Sequence, residues 1–322
     1  YGALLTDDLG FGTTAVGYNA CGLQNSNNTD EITGNTAVGA SALYTNVDGS
    51  YNTAIGYNAL YHYEAESDGE GRNTCIGYEA GKFIEYGTEN TFIGHKAGLG
   101  ITGDKLDGDY NVAIGGSAGV ELEGAANNNT FVGYYAGNTT ETGVGNVCLG
   151  YNTETLADNS EAQFVIGNNT TGIANYTATF GNGSNTASLG IDGSDTSWAA
   201  ASSDERLKEN ITTSTAGLSF VNDLRPVTYN WKKAGEIPED MPQYVEDSED
   251  PCLGYEYGET LHGFIAQEVK TVIDNHSELK EGFKMWKEYD SGVQTVADGN
   301  LIPMLVKAVQ ELSAKVEALE NK

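Results

Sequence analysis

The stretch "NTAIGYNA" (residues 52–59) decides the fold of the first half of the chain, because close variants of it recur. The variants occupy residues 13–20, 35–42, 52–59, 73–80, 90–97, 111–118, 129–136, 146–153 and 163–170. From one variant to the next, the glycine at the fifth position advances by 17, 18, 21 or 22 residues. The basic period is therefore 17 residues, with inserts of about four, and a fixed period this short predicts a solenoid.

Each repeat has the pattern of a short strand followed by a turn. In "TAI" (53–55), Thr and Ile point to one face and Ala to the other, where other repeats place Cys or Phe. The glycine follows where the chain turns or approaches another backbone closely. Nine coils at a strand spacing of about 4.8 Å give a rod of roughly 45 Å. We expect the face with Ala, Cys and Phe to need a partner, which favours an oligomer over a monomeric β-helix.

The net charge of −30 excludes several classes of protein. A nucleic-acid binder needs a basic face for phosphates, and an anionic membrane surface is disfavoured for the same reason. No apolar stretch approaches the 18 residues of a membrane span, so we expect no membrane insertion. The four cysteines form no metal-binding spacing, and we expect neither a metal nor a cofactor. They are Cys21, Cys75, Cys148 and Cys252.

The composition changes near residue 200. Residues 1–198 contain four basic and 23 acidic side chains, whereas residues 199–322 contain 12 basic and 23 acidic ones. Gly and Asn are frequent in the first part, and Lys, Glu and Leu in the second. The sequence therefore predicts an all-β solenoid over 1–198 and a separate domain over 199–322.

The repeats resemble the left-handed β-roll heads of trimeric autotransporter adhesins, whose unit has the form Asn-small-x-Ala-Ile-Gly. They look still closer to the "NTAIGYxAL" repeats of viral and phage fibre proteins. The resemblance covers residues 13 to about 170, and it implies a trimeric parallel β-roll.

The second part opens with "SSDERLKENI" (202–211). The spacing of Ser202 and Glu205 fits a capping box, which would predict only a helix start. Three further segments follow: "LRPVTYNWK" (224–232), "LHGFIAQEV" (261–269) and the run from 299 to 322. With them, residues 199–322 resemble the endosialidase-type intramolecular chaperone, an auto-processing peptidase domain of phage tail spikes and fibres. The resemblance implies an α+β domain.

The family's opening motif, Ser-Asp-x-Arg-x-Lys, is matched by Ser203, Asp204, Arg206 and Lys208. The resemblance implies that Ser203 is the nucleophile and Lys208 the base, and that the chain cuts itself once, between Ser202 and Ser203. A hydroxyl attacks poorly until a neighbour takes its proton, and a lysine accepts that proton only when neutral. Burial or nearby positive charge lowers a lysine pKa. Arg206 supplies that charge or holds Asp204 in place. We expect no turnover enzyme in the solenoid.

The last helix is predicted to form a short coiled coil, because its apolar residues keep a 3–4 spacing. The seam consists of Ile302, Leu305, Val309, Leu312, Val316 and Leu319. Branched residues at a with Leu at d favour two strands, whereas the family resemblance implies three. Three heptads are too few to decide the number, so the trimer is expected from the rest of the chain. The alternative is a single amphipathic surface helix.

Together these features predict the C-terminal part of a homotrimeric viral tail fibre or spike, made in the host cytoplasm and carried on the virion. The expected partners are further copies of the chain and a host cell-surface receptor or glycan. Tyrosines that follow the repeat glycine either stack on sugars or pack between coils; they are Tyr18, Tyr57, Tyr78, Tyr134 and Tyr151. The alternatives are a bacterial trimeric adhesin head and a polysaccharide depolymerase. A depolymerase needs two placed carboxylates, and the sequence shows no evident pair.

Overall fold

The computed structural model of the chain divides into two compact units, Tyr1–Leu207 and Lys208–Lys322. The structure describes residues 2–4, 12–24, 33–65, 70–183, 185–192, 199–200, 205–253, 258–279, 283–289 and 291–322.

The first unit is a β-solenoid, which confirms the predicted fold of this region. Within the described residues, twelve strands form one sheet in chain order. The strands are β1 (Thr14–Val16), β2 (Thr36–Val38), β3 (Thr53–Ile55), β4 (Thr74–Ile76), β5 (Thr91–Ile93), β6 (Val112–Ile114), β7 (Thr130–Val132), β8 (Val147–Tyr151), β9 (Phe164–Asn168), β10 (Thr177–Asn182), β11 (Asn185–Gly190) and β12 (Ala199–Ala200). Neighbours from β1 to β10 are parallel, whereas β11 and β12 are antiparallel additions. Equivalent repeat residues lie opposite each other, as Thr53 and Thr74 do.

The repeat glycine is needed because successive backbones touch there. Gly94 has a φ of +142°, and a Cβ at this position would lie 2.4 Å from the carbonyl oxygen of Gly115. Any other residue would combine that overlap with a backbone conformation that L side chains rarely adopt. The glycine column therefore sets how closely the coils stack.

The interior of the solenoid is closed by the chain itself. The middle strand residues, such as Ala54, Cys75 and Phe92, are fully buried in the single chain. Residues that follow the glycine turn, such as Ala59 and Leu60, form an opposite wall and are equally buried. The expectation that the face with Ala, Cys and Phe needs a partner is therefore wrong, because a second wall of the same coil covers it.

A column of buried asparagines runs along the solenoid. Its members are Asn35, Asn52, Asn73, Asn90, Asn111, Asn129 and Asn146, and Gln163 continues it. The backbone N–H and Nδ2 of Asn111 donate to Oδ1 of Asn90 at 2.9 and 3.0 Å, and Nδ2 also donates to the carbonyl of Ala126 at 2.7 Å. The column pairs backbone groups that would otherwise be buried without partners, which is costly in a dry interior.

The second unit combines small antiparallel sheets with helices, which confirms the predicted α+β class. Strands β13 (Val227–Tyr229) and β14 (Leu261–Gly263) pair, as do β15 (Trp286–Glu288) and β16 (Gln294–Val296). The helices are α1 (Leu218–Asp223), α2 (Ala266–Asn275) and α3 (Ile302–Glu320). They enclose a core that includes Phe220, Val269, Ile273, Met285 and Met304.

No helix in the described part of the chain is long and apolar enough to cross a membrane.

Candidate self-processing site and assembly surfaces

The motif proposed for cleavage lies only partly within the described residues. Ser202, Ser203 and Asp204 fall outside them. Arg206 lies in a single 3-10 turn, Glu205–Leu207, and Lys208 follows it; both side chains are exposed. The α-helix that a capping box would predict does not form between residues 208 and 216. The pairing of Ser203 with Lys208 stays a prediction.

The segment before the motif is held by the solenoid sheet. Ala199 and Ala200 form β12 and pair with Ser188 and Ala187 of β11. A single residue, Ala201, separates β12 from Ser202 in the sequence. The described pairing of the solenoid sheet thus extends to Ala200, two residues before Ser202 in the sequence.

Helix α3 has two apolar faces. One face, with Met304 and Ala308, is buried, and the helix packs against α1. Leu301, at the end of the preceding 3-10 turn, is buried as well. The other face is the predicted seam, and its residues are 41 to 69% exposed in the single chain. A single amphipathic surface helix would have turned its apolar stripe to the core. The seam residues therefore form an apolar stripe that the single chain leaves uncovered, although the coiled coil itself stays a prediction.

The outer face of the solenoid sheet is uncharged, and most strands place a Thr beside a Val or an Ile there. Strands β1 to β9 contain no charged residue, and outward side chains such as Val16, Ile55, Ile114 and Val132 are exposed. In a chain with a net charge of −30, an uncharged sheet face of this length is a candidate contact surface. The face that the single chain leaves uncovered is thus the one with Thr and Ile.

Aromatic rings beside this face stack from coil to coil. The ring centroids of Tyr57 and Tyr78 are 5.6 Å apart, those of Tyr78 and His95 5.2 Å, and those of Tyr134 and Tyr151 5.9 Å. Because the rings cover one another's faces, packing between coils accounts for much of the tyrosine pattern.

The inserts of the solenoid form a polar cleft of about 330 Å³. Its lining residues are Glu70, Arg72, Tyr86, Thr88, Glu89, Asp107, Asp109 and Tyr110. The carboxylate of Asp109 accepts hydrogen bonds from the backbone N–H and Oγ1 of Thr88, at 2.7 and 2.9 Å. Sequence reasoning missed this grouping, because the carboxylates come from different coils. Among the described residues, no cluster of His, Cys, Asp and Glu could hold a metal ion.

His276 joins two elements of the second unit. Its buried ring contacts Asp223 through Nε2 at 2.9 Å and Glu278 through Nδ1 at 3.1 Å. These hydrogen bonds, with Asp223 contributing most, raise the pKa of His276 above its ordinary value. The ring also packs edge-on against Phe220, at a centroid distance of 5.4 Å. The sequence gave no signal for this site, since Asp223 is 53 residues away.

These features define a class of protein in which a β-solenoid is followed by a small α+β domain with an uncovered helix face. Comparison with known families finds a match within the second region. Residues 203–278 match the model of the chaperone of endosialidase, a peptidase S74 family, which confirms the resemblance seen in the sequence. The chain matches no curated protein and no solved structure.

The family match has consequences for the class of protein. A chaperone of endosialidase following a β-solenoid indicates a phage tail spike or fibre. The family implies a self-cleaving peptidase domain, and it is associated with trimeric tail proteins of the virion.

Proposed function

We propose that the chain forms part of a homotrimeric tail fibre or spike in which residues 199–322 direct trimer folding and then release themselves by cutting the Ser202–Ser203 bond. One observation carries the proposal. The family match begins at Ser203, and the last strand of the solenoid ends at Ala200. The chaperone region therefore begins where the solenoid ends.

The solenoid has a physical need for such a chaperone. Its coils carry nearly the same side chains, so three chains could meet in several registers. A coil also exposes unpaired strand edges until its neighbour has folded, and such edges can pair with another chain. A domain that trimerises first fixes the register and raises the local concentration of the repeats. The exposed seam of α3, with Leu305 and Leu312 near its centre, supplies the apolar surface for that trimer.

The proposed chemistry begins with attack of Ser203 Oγ on the carbonyl carbon of Ser202, while the Lys208 amine takes the hydroxyl proton. The C–N bond breaks, and the leaving nitrogen, which becomes the α-amine of Ser203, receives a proton. The resulting ester joins Ser202 to Ser203 Oγ. Water then hydrolyses the ester, leaving a carboxylate on Ser202 and a free hydroxyl on Ser203. The nucleophile neighbours its target in the chain, which gives a high effective molarity.

Assembly provides the switch for this chemistry. A lysine becomes a base when it is buried or placed near other cations. Lys208 is exposed in the single chain. We propose that trimer formation buries Lys208, with Asp204 and Arg206 supporting the site, so that cleavage follows assembly. The released solenoid keeps its barrier to unfolding and is kinetically trapped.

The proposal is tested with the full chain and three single variants. Light scattering should show three chains for the wild type, Ser203→Ala and the control Ser214→Ala. Ser203→Ala should stay uncut, because it lacks the nucleophile, and Lys208→Ala should stay uncut for lack of the base. Ser214→Ala removes an exposed serine of the same unit and should cut like the wild type. A folded monomer, or cleavage of Ser203→Ala, would contradict the proposal.

A host cell-surface receptor or glycan is the proposed ligand of the solenoid on the virion, and the polar cleft supports this. The same cleft favours a second candidate, polysaccharide cleavage, because a glycosidase works with two carboxylates. Incubation of the purified trimer with capsular polysaccharides separates the two functions. Binding without new reducing ends supports a receptor-binding fibre, whereas release of reducing ends that Glu89→Gln or Asp107→Asn abolishes supports a depolymerase.

A further inference from the structure

The polar cleft of the solenoid is built from three successive coils that the asparagine column holds in place. One wall consists of residues that directly precede column asparagines, namely Arg72, Glu89 and Tyr110. Their backbones are joined across the coils, because the N–H of Glu89 donates to the carbonyl of Gly71 at 2.9 Å and that of Tyr110 to the carbonyl of Thr88 at 3.1 Å. The cleft is therefore largely preformed, which lowers the entropic cost of binding a ligand.

The charge of the cleft favours a cation. Four carboxylates line it, and the single guanidinium among its lining residues, that of Arg72, lies 3.7 Å from the carboxylate of Glu89. The rings of Tyr86 and Tyr110 also line the cleft, and the faces of such rings attract ammonium groups. An acidic sugar, such as a sialic or uronic acid, would instead meet like charges at close range.

A buried hydroxyl at the inner end of the cleft lacks a hydrogen-bond partner. Tyr63 is fully buried, and its hydroxyl is unpaired within the described part of the chain. The charges that act on this hydroxyl are Glu70, Asp109 and Arg72, and all three line the cleft. Burial and then the two carboxylates raise the pKa of Tyr63, so the hydroxyl keeps its proton and can donate it. A buried polar group without a partner is rare and costly, and this one points to a ligand group at the floor of the cleft.

The lining also distinguishes between possible carriers of an ammonium group. Every described side chain that lines the cleft can form hydrogen bonds, and none of them is aliphatic. A lysine of a protein receptor would bring a long methylene stem, which gains from apolar contacts that the cleft does not offer. An amino sugar instead surrounds its ammonium with hydroxyl groups, which pair with carboxylates and tyrosines. The volume of about 330 Å³ lies at the lower end of the range for small-ligand pockets.

We infer that the cleft is a binding site for an amine-bearing saccharide, whose ammonium group lies among the carboxylates of Glu70, Asp107 and Asp109. A hydroxyl of the same sugar pairs with the Tyr63 hydroxyl at the floor of the cleft. This inference rests on the proposed glycan ligand of the solenoid and names the chemical class of that ligand. It assigns the site no bond cleavage.

The test compares three probes on the full chain. A glucosamine trisaccharide carries an ammonium group on each ring, and its N-acetylated form has the same backbone without these charges. Trilysine carries the same number of side-chain ammonium groups on a peptide. Titration calorimetry measures the affinity of each probe. We expect the glucosamine trisaccharide to bind about tenfold more tightly than either of the other two, because hydrogen bonds to charged groups are the stronger ones.

Three variants locate the binding site. Glu70→Gln should weaken binding of the glucosamine trisaccharide about tenfold, because it removes one of the charges that hold the ammonium. Tyr63→Phe removes the unpaired hydroxyl, so it should weaken binding about threefold without lowering the melting temperature of the solenoid. The control is Asp104→Asn, which removes an exposed carboxylate outside the cleft lining and should bind like the wild type.

Several outcomes would overturn the inference. Equal affinity for the two trisaccharides would remove the amine, and trilysine binding as tightly as the glucosamine trisaccharide would remove the saccharide. Equal weakening by Glu70→Gln and Asp104→Asn would mean general attraction to a chain of net charge −30. Unchanged affinity in Tyr63→Phe would exclude the buried hydroxyl from the site.

Failure of the inference is distinguishable from failure of the proposed glycan ligand. If neither trisaccharide binds but a capsular polysaccharide does, this inference falls and the glycan ligand stands. If no saccharide of any kind binds, the proposed glycan ligand falls and this inference falls with it.

Discussion

The two units differ in how much of their apolar surface the single chain covers. Inward strand residues of the solenoid, such as Phe92 and Phe131, are fully buried by the chain itself. Helix α3 leaves a stripe uncovered, in which Leu305 is 41% and Leu312 46% exposed. The solenoid thus completes its core within one chain and leaves side chains such as Ile55 and Ile114 exposed beside threonines, whereas α3 leaves a continuous apolar stripe uncovered. The difference supports a division of roles, in which one unit is the durable product and the other brings chains together.

The same contrast extends to register. The glycine and asparagine columns of the solenoid present the same groups in coil after coil, so they stabilise stacking without distinguishing one register from another. The second unit has no such repeat, and its core residues occupy distinct positions. In the proposed assembly, chains would meet through the second unit in one alignment, which the solenoid would then inherit.

The largest expected effect comes from placing charge on the seam of α3. Leu305→Asp combined with Leu312→Asp should abolish the trimer and the soluble, protease-resistant solenoid, although neither residue belongs to the repeats. The reason is that three buried copies of each carboxylate would lie close together without partners. Light scattering and limited proteolysis measure the two outcomes.

A matched control places the same charges elsewhere on α3. Gln310→Asp with Ala314→Asp changes exposed positions outside the seam and should leave the trimer intact. If the seam variant still gave a protease-resistant solenoid at wild-type yield, the assembly role of the second unit would be refuted.

The second largest effect is expected from a substitution in the glycine column. Gly94→Ala places a Cβ 2.4 Å from a backbone oxygen at a φ of +142°, and overlap with strain together should cost about 3 kcal/mol or more. Thermal unfolding of the solenoid is the measurement. Gly103→Ala is the control, since a Cβ there meets nothing within 4 Å, and it should leave the melting temperature unchanged. Similar melting temperatures for both variants would contradict the close stacking of the coils.

A substitution in the asparagine column should destabilise the solenoid somewhat less than Gly94→Ala. Asn111→Ala removes the donor to the Ala126 carbonyl and the acceptor for the backbone N–H and Nδ2 of Asn129, at 3.1 and 3.0 Å. Leaving these buried groups unpaired should cost about 2–4 kcal/mol. Asn168→Ala, at an exposed position of β9, should change the free energy of unfolding by less than about 0.5 kcal/mol. Denaturant unfolding measures the free energy of unfolding of both variants. Equal changes would mean that the buried hydrogen bonds of the column contribute no stability.

The smallest effect concerns pH and the second unit. Asp223 and Glu278 raise the pKa of His276 above 6.5, so the charged ring stabilises the folded state fully below that pH. The stabilisation is lost as the pH rises through the higher pKa of the folded protein. Asp223→Asn should lower stability by about 1 kcal/mol at pH 6 and flatten the dependence between pH 6 and 8.

Asp274→Asn serves as the control for this titration, because it removes a carboxylate that pairs with Lys270 on the surface of α2. It should leave the pH dependence as in the wild type. Thermal melts of the uncut Ser203→Ala protein at several pH values provide the measurement. A melting temperature that rises from pH 6 to 8 would contradict the assignment.

The local parts of the fold were predictable from the sequence. The strand in each repeat, the glycine at its end and the helix from Ile302 onward follow from patterns within a few residues, and the structure confirms them. The expectation that the face of the middle strand residue needs a partner chain was wrong. Alternation in "TAI" shows that two faces exist, but only the return of the chain after the glycine decides which face is covered.

The remaining features depend on residues that meet across long stretches of sequence. The buried face of α3, with Met304 and Ala308, was missed because heptad analysis describes a single stripe. The cleft carboxylates come from separate inserts. His276 meets Asp223 only through the packing of α1 and α2. None of these contacts leaves a periodic signal in the sequence.

The most direct test of the account is the intact mass of the purified, folded wild-type protein, followed over time beside Ser203→Ala. The account predicts that the 322-residue chain is replaced by two species, residues 1–202 and residues 203–322, in the wild type alone. Persistence of only the full-length mass in a folded wild-type trimer would contradict self-cleavage. Cleavage at another bond would contradict the assignment of Ser203.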